Sequence, residues 1–231
     1  MTTDRSVGIL CAMHTDPGTP SSPSSREKIL DVAEALFAAQ GFAGVSLADV
    51  AARVGLGKSS LFHHFPGKVS LYAEVSERVI ERIIQRLQPA FEASGPATER
   101  LDRMIEGLCD ALAEHAPAAR LLLRSLFEDH LFAPEDEPTL APVEALVAKV
   151  TGLAAELLRD GIARGEFREV SVPDAVQTVI GAVVYHYASG EVGEKILGGP
   201  IFSAESVARR RREVTTFIHT ALVASPAPGK A

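Results

Sequence analysis

The side chains with the clearest chemistry in this chain are gathered between positions 57 and 68. Lys58, Ser59 and Ser60 open a short run. Phe62, His63 and His64 follow about one helical turn later, and Lys68 stands just beyond. An ammonium group can donate to guanine O6 and N7 or to a phosphate, and serine hydroxyls can serve bases or phosphates. Such residues at the start of a helix are suited to lying against duplex DNA, with their N-terminal members at the base edges. Gly57, just ahead of them, permits close approach of backbone to DNA, although relief of the turn would account for it equally well.

For this chemistry to work the residues must be positioned by a framework, and the flanking sequence supplies one. Leu47, Val50, Ala51 and Val54 recur with the spacing of one apolar helix face. Ser46 precedes that face and Asp49 follows three residues later, a capping-box arrangement with Asp in place of Glu. Gly55 ends this first helix, and Lys58 to Phe65 forms a second. Upstream, Arg26 to Gln40 places Ile29, Ala33, Leu36 and Phe37 on one face and stops at Gly41. The spacing therefore predicts three helices, the last two in a helix-turn-helix.

The run Gly41-Phe42, Ser46, Asp49-Val50-Ala51, Val54-Gly55, Lys58, Leu61-Phe62, His64-Phe65 and Lys68 resembles the TetR family of bacterial transcriptional regulators in order and spacing. The resemblance implies an all-α protein with an N-terminal three-helix DNA-binding domain (residues 26–72) and a C-terminal helical domain for effector binding and dimerisation (residues 73–224). It implies phosphate contacts from His64 and Lys68; the alternatives are a helix-end residue capping carbonyls and a solvated lysine. The chain departs from the family at three places. Phe62 stands for the usual phosphate-binding Tyr, Val45 for a frequent Thr, and Ala48 for a frequent basic residue. Ser46 is the candidate substitute for the Thr. Fewer phosphate contacts predict modest affinity and a shallow salt dependence.

Charge fits a small contact face. The 231-residue chain carries a net −7, but residues 26–72 hold five cations against four acids, so the acidity belongs to the rest. A near-neutral module on an acidic body argues against non-specific coating of nucleic acid. Cys11 and Cys109 are far apart and read as free thiols of a reducing cytoplasm. No apolar run reaches the ~18 residues of a membrane span, and the start lacks the basic region of a signal peptide. Residues 1–25 and 225–231 read as tails.

Beyond the DNA-binding segment, a long helix runs from Lys68 to about Gln88 and ends at Pro89. Helices then read from about Thr98 to His115, Pro117 to Leu131, Pro142 to Arg164, Pro173 to Tyr187 and Ser203 to Val223. Ala133 to Pro138 and Gly190 to Pro200 read as loops. By the resemblance, the last two helices pair with their copies in a homodimer. Their apolar residues (Val176, Ile180, Val183 and Val184, then Val207, Val214, Phe217, Ile218, Ala221 and Leu222) are core or interface, undivided by sequence. The run Arg209 to Arg212 reads as a solvated face pairing with Glu205 and Glu213, ahead of a second nucleic-acid patch.

If the family's effector pocket is present, polar candidates on otherwise apolar helices are His115, Arg124, Glu128, His130, Tyr185 and His186. The leucines of 121–126 and Phe127 point to an apolar or aromatic effector. Glu128-Asp129-His130 mimics a metal cluster, but adjacent helical residues point apart, and no metal or cofactor is expected. No nucleophile elbow, P-loop or metal-spaced His pair supports an enzyme. The expected function is a cytoplasmic, homodimeric repressor that leaves a palindromic DNA operator when an unidentified small molecule binds. The alternatives are an activator using the same contacts, or an all-helical carrier or enzyme.

Overall fold

The computed structural model describes residues 24–128 and 131–224, with Lys58 described by its backbone alone. The expected tails, apart from residues 24 and 25, together with Cys11, Asp129 and His130, lie outside the described residues.

The described residues are helical almost throughout. Helix α1 (Ser25–Gln40) starts on a capping box in which Ser24 and Glu27 exchange backbone and side-chain bonds. Helix α2 (Leu47–Val54) starts on the Ser46–Asp49 box and ends at Gly55 in the left-handed region. Helix α3 (Lys58–His64) follows. Ile29, Ala33, Phe37, Val50, Leu61 and Phe65 are buried where the three meet.

Helix α4 (Lys68–Glu92) joins this unit to the body. Its stripe of Leu71, Val75, Val79, Ile83 and Leu87 is buried against α5 (Ala97–Glu114) and α7 (Glu137–Ala163). Helix α6 (Ala116–Glu128) packs on α8 (Val172–Ala188) and also on α1. Helix α9 (Gly190–Leu197) leads to α10 (Ala204–Leu222), which lies on α5. Among the described residues a single antiparallel bridge, Phe167 with Val223, ties the α7–α8 connection to the end of α10.

Four boundaries differ from the pattern-based reading. Pro89 lies inside α4, which continues to Glu92. Pro142 lies inside α7, which starts at Glu137. A proline near a helix end removes one ladder bond, and that loss is small beside the burial of a packed face. The expected 133–138 loop is a 3-10 turn, Pro134–Asp136, running into α7. The glycine-rich 190–200 segment holds α9. At Gly193 a Cβ would crowd Ser189, whose hydroxyl would have to turn aside. Glycines tolerated within a short helix mimic a loop signal.

The basic run on α10 also finds different partners. Arg211 pairs with Asp110 of α5, and Arg210 donates to the Ala182 carbonyl at 2.6 Å. These bonds hold α10 on the body, in place of the expected pairing with Glu205 and Glu213.

Candidate nucleic-acid interface

Helix α3 has one buried face and one open face. Leu61 and Phe65 are fully buried, and they orient the rest of a seven-residue helix. Ser59, Ser60, Phe62, His63 and His64 are exposed as a result. Gly57 caps the start with extended backbone, and a Cβ there would meet only the Ser59 hydroxyl, at 3.9 Å. Lys58 is the first residue of α3. The start of α4 follows at Gly67, whose N–H donates to the Ser70 hydroxyl. The outer surface is thus short and polar, with a helix N-terminus at each end that favours anions.

Two expected contacts, Ser46 and Lys68, have competing partners. The Ser46 hydroxyl donates to Asp49 Oδ2 at 2.6 Å and accepts from the Asp49 N–H, so the cap employs it. These bonds hold the exposed Asp49 carboxyl below its usual range. Lys68 places its ammonium 4.3 Å from the centroid of the Phe42 ring. Partial burial there lowers its pKa, while the Glu128 carboxylate raises it. Arg26 pairs with Glu74 and lies over Phe65, joining the first three helices to α4. Val45, which replaces a family Thr, is buried in the core.

Behind this face, the end of α6 grips the end of α1. Arg124 donates from Nε to the Ala38 carbonyl at 3.1 Å and from Nη2 to the Ala39 carbonyl at 3.0 Å. The Phe42 N–H donates to both carboxylate oxygens of Glu128, each at 3.1 Å. Carbonyls and an N–H left open by a helix end are thereby satisfied from another helix. Gly41 makes the approach feasible: its φ is +74°, and a Cβ would fall 2.2 Å from Glu128 Oε1. Beside the grip, Phe42, Tyr72 and Phe132 form an aromatic cluster with centroids 4.8 to 5.5 Å apart, and Phe37 packs edge-on against Tyr72.

A neighbouring face of α6 borders a cavity in two adjoining lobes that share Ile80, Leu122, Ser125 and Val147. The first lobe, about 270 Å³, is also walled by Tyr72, Ser76, Leu121 and Phe132, with Glu137 and Glu144 among its lining residues. The second, about 190 Å³, is walled by residues such as Met104, Leu108, Ala154, Val176 and Val184.

The polar residues selected from sequence lie elsewhere. Arg124 and Glu128 serve the grip on α1. His115 ends α5, its carbonyl accepting from the Ala118 N–H. Tyr185 is 57% exposed on α8. His186 packs edge-on against Tyr187, and its pKa is pushed down to about 4 by burial and then by Arg210 and Arg209. None of these five lines either lobe. The cavity walls are apolar, so a search for polar residues on apolar helices passes over them. In the sequence of α6 the lining residues Leu121, Leu122 and Ser125 interleave with Arg124 and Glu128 on adjoining faces, so spacing does not separate them.

Comparisons with known proteins agree with this architecture. Residues 29–75 match the family model "Bacterial regulatory proteins, tetR family", and residues 98–218 match "Tetracyclin repressor-like, C-terminal domain". The transcriptional repressor KstR2 of Mycolicibacterium smegmatis is 28% identical over 153 residues, 66% of this chain and 72% of that protein. The solved structure of the ketosteroid transcriptional regulator KstR2 of Mycobacterium tuberculosis superposes with a TM-score of 0.72. It shares 17% identity and covers 89% of this chain and 98% of that one. AibR, solved with isovaleryl coenzyme A and operator DNA, gives a TM-score of 0.68 at 16% identity over 84% of this chain and 97% of that one. At these identities the two structures show a shared fold.

Proposed function

The chain belongs to the TetR family of bacterial transcriptional regulators, and from that premise we propose that it is a homodimeric repressor released from a palindromic operator by a small molecule. The observation that carries the reading is the division of α3: Leu61 and Phe65 inward, Ser59, Ser60, His63 and His64 outward. Lys58, Ser59 and Ser60 read base edges. His63, His64 and the start of α4 at Lys68 take phosphates. Phe62, lacking a hydroxyl, contributes packing to that face. Ser46 remains with Asp49, and Gly57 lets the turn approach the duplex. The cytoplasm is the compartment this function requires.

A dimer supplies the second half-site, about 34–36 Å away along the duplex. Phe217 of α10, 70% exposed, and Tyr185 of α8 offer aromatic surface to a second copy. Val176, Val183, Val184, Val214, Ile218 and Leu222 are buried within the subunit and belong to its core. The two-lobed cavity receives the effector. Because α6 borders both the cavity and α1, a ligand that shifts Leu122 and Ser125 also shifts Arg124 and Glu128. The effector favours whichever state it binds more tightly, and the grip on α1 differs between the two.

The test is selection of genomic fragments by the purified protein, followed by titration of the recovered duplex at fixed salt. A palindrome with half-sites one helical turn apart supports the reading. Absence of any enriched palindrome rejects it in favour of a carrier. A promoter reporter fixes the sign: deletion of the protein raises expression for a repressor and lowers it for an activator.

A further inference from the structure

The walls of the cavity specify a class of ligand more narrowly than an apolar compound. The second lobe is apolar apart from Ser125 and Thr151. Those hydroxyls donate to their own helices, Ser125 to the Leu122 carbonyl and Thr151 to the Val147 carbonyl, each at 2.8 Å. Their protons are committed, and what they can offer a ligand is an acceptor lone pair. The first lobe differs. Tyr72 and Ser76, 3% and 6% exposed, both line it, and their hydroxyls lie close enough for Ser76 to act on Tyr72, yet among the described residues neither makes a hydrogen bond of good geometry. Two buried hydroxyls that at best serve each other keep donor and acceptor capacity for an external partner.

Charge sets the nature of that partner. Among the described residues, no Arg or Lys lines either lobe. The ionisable groups with charge at neutral pH in the lining are Glu137 and Glu144, both exposed to solvent. An anionic head group would therefore meet two carboxylates with no cation beside it, in a cleft where desolvation penalises the charge further. The glutamates already have water, so they do not demand a cation.

Resting on the effector reading of the cavity, we propose that the ligand is an uncharged amphiphile. Its apolar body fills the second lobe, and one neutral oxygen function, a hydroxyl or carbonyl, sits on Tyr72 and Ser76. The placement has a consequence for signalling. Tyr72 belongs to the aromatic cluster with Phe37, Phe42 and Phe132, so a ligand bonded to its hydroxyl touches the packing beneath the DNA-binding helices.

The experiment uses a series of constant chain length: 1-decanol, decanoate and decylammonium at pH 8, with 1-chlorodecane as the control lacking a donor. Calorimetry on the full-length dimer is expected to give 1-decanol a Kd at least tenfold below those of both ions. Tyr72→Phe and Ser76→Ala are each expected to weaken 1-decanol severalfold and leave 1-chlorodecane unchanged, a contrast that a misfolded variant would not show. Equal or tighter binding of decanoate or decylammonium overturns the proposal, as does 1-decanol binding that is indifferent to both substitutions. Release of the selected operator duplex is measured in parallel. If an ion binds best and releases the duplex, the ligand class is wrong and the effector reading stands. If 1-decanol binds as described and the duplex stays bound, the class holds and the effector reading fails. Binding of none of the four rejects both.

Discussion

Helix α1 is held to the body at two places by two different means. Along its length, side chains pair with side chains of α4. Arg78 bridges Asp31 and Glu34, Arg82 adds a second bond to Glu34, and Glu34 is 4% exposed. At its C-terminal end, in addition to the packing of α6 on α1, side chains of α6 hydrogen-bond to backbone at Ala38, Ala39 and Phe42. The first contact is a charged network with Glu34 buried at its centre and Asp31 at the surface, and breaking it leaves two partly exposed guanidinium groups beside an apolar seam. The second adds a few mostly part-buried hydrogen bonds, each worth about 1 kcal/mol, to the packing of α6 on α1, beside a cavity. If the charged contact is the stronger joint and the backbone contact the weaker, the two make a hinge in which α4 keeps the DNA-binding unit attached and α6 sets its angle. A ligand with a few kcal/mol of differential affinity can change the weak joint and cannot change the strong one.

The largest effect tests the strong joint. Glu34→Ala strips both arginines of their buried partner and is expected to cost about 2–4 kcal/mol, since loss of one member of a buried pair is strongly destabilising. Urea unfolding followed by circular dichroism measures it; a loss below about 1 kcal/mol, the worth of a single ordinary hydrogen bond, would mean that this joint is no stronger than the other.

Gly41→Ala attacks the weak joint from the backbone side. The Gly41 backbone, φ +74° and ψ 174°, lies in a region used almost only by glycine, where a side chain costs about 1–3 kcal/mol, and the new methyl displaces Glu128. Stability is expected to fall modestly, while operator release no longer depends on effector. Retention of a normal effector response would show that the grip does not transmit it.

Smaller still is Glu128→Ala, expected to cost about 1 kcal/mol in unfolding. Its signature is functional: the effector dose response for release, read by fluorescence anisotropy, should flatten more than the stability loss accounts for. Arg124→Ala should resemble it, and the double variant should add little, because both act on one joint.

The smallest concerns Lys68, which leans on Phe42 between the two joints. Lys68→Met keeps the packing and removes the charge. Stability should stay within about 1 kcal/mol, the upper range of an exposed cation–π contact. The slope of log affinity against log salt should fall by about 0.9 for each phosphate that is no longer neutralised. An unchanged slope would place Lys68 wholly in the hinge and outside the DNA-binding surface.

How legible each region was follows the range of its interactions. The capping boxes, Gly55 and the apolar stripes of α1, α2 and α4 are local, and their spacing is readable residue by residue. Even the exposed face of α3 follows from Leu61 and Phe65 being four apart. The cavity was not legible, because its walls come from α4 to α8 and consist of leucines and valines indistinguishable from core. Arg124 and Glu128 could be recognised as unusual on an apolar helix but not assigned: their partners are backbone groups 85 or 86 residues earlier, and a backbone partner has no identity in sequence.

By itself, then, the order of amino acids determined the helical class, the helix-turn-helix and the residues facing outward from it, since periodicity, caps and glycine stops act over a few residues of chain. Only the tertiary structure decided that two charged side chains hold a helix end, that α9 exists, and that the apolar helices leave a space with two unsatisfied hydroxyls on its wall. Those outcomes depend on which surfaces meet, and burial couples groups far apart in the chain without leaving a periodic trace.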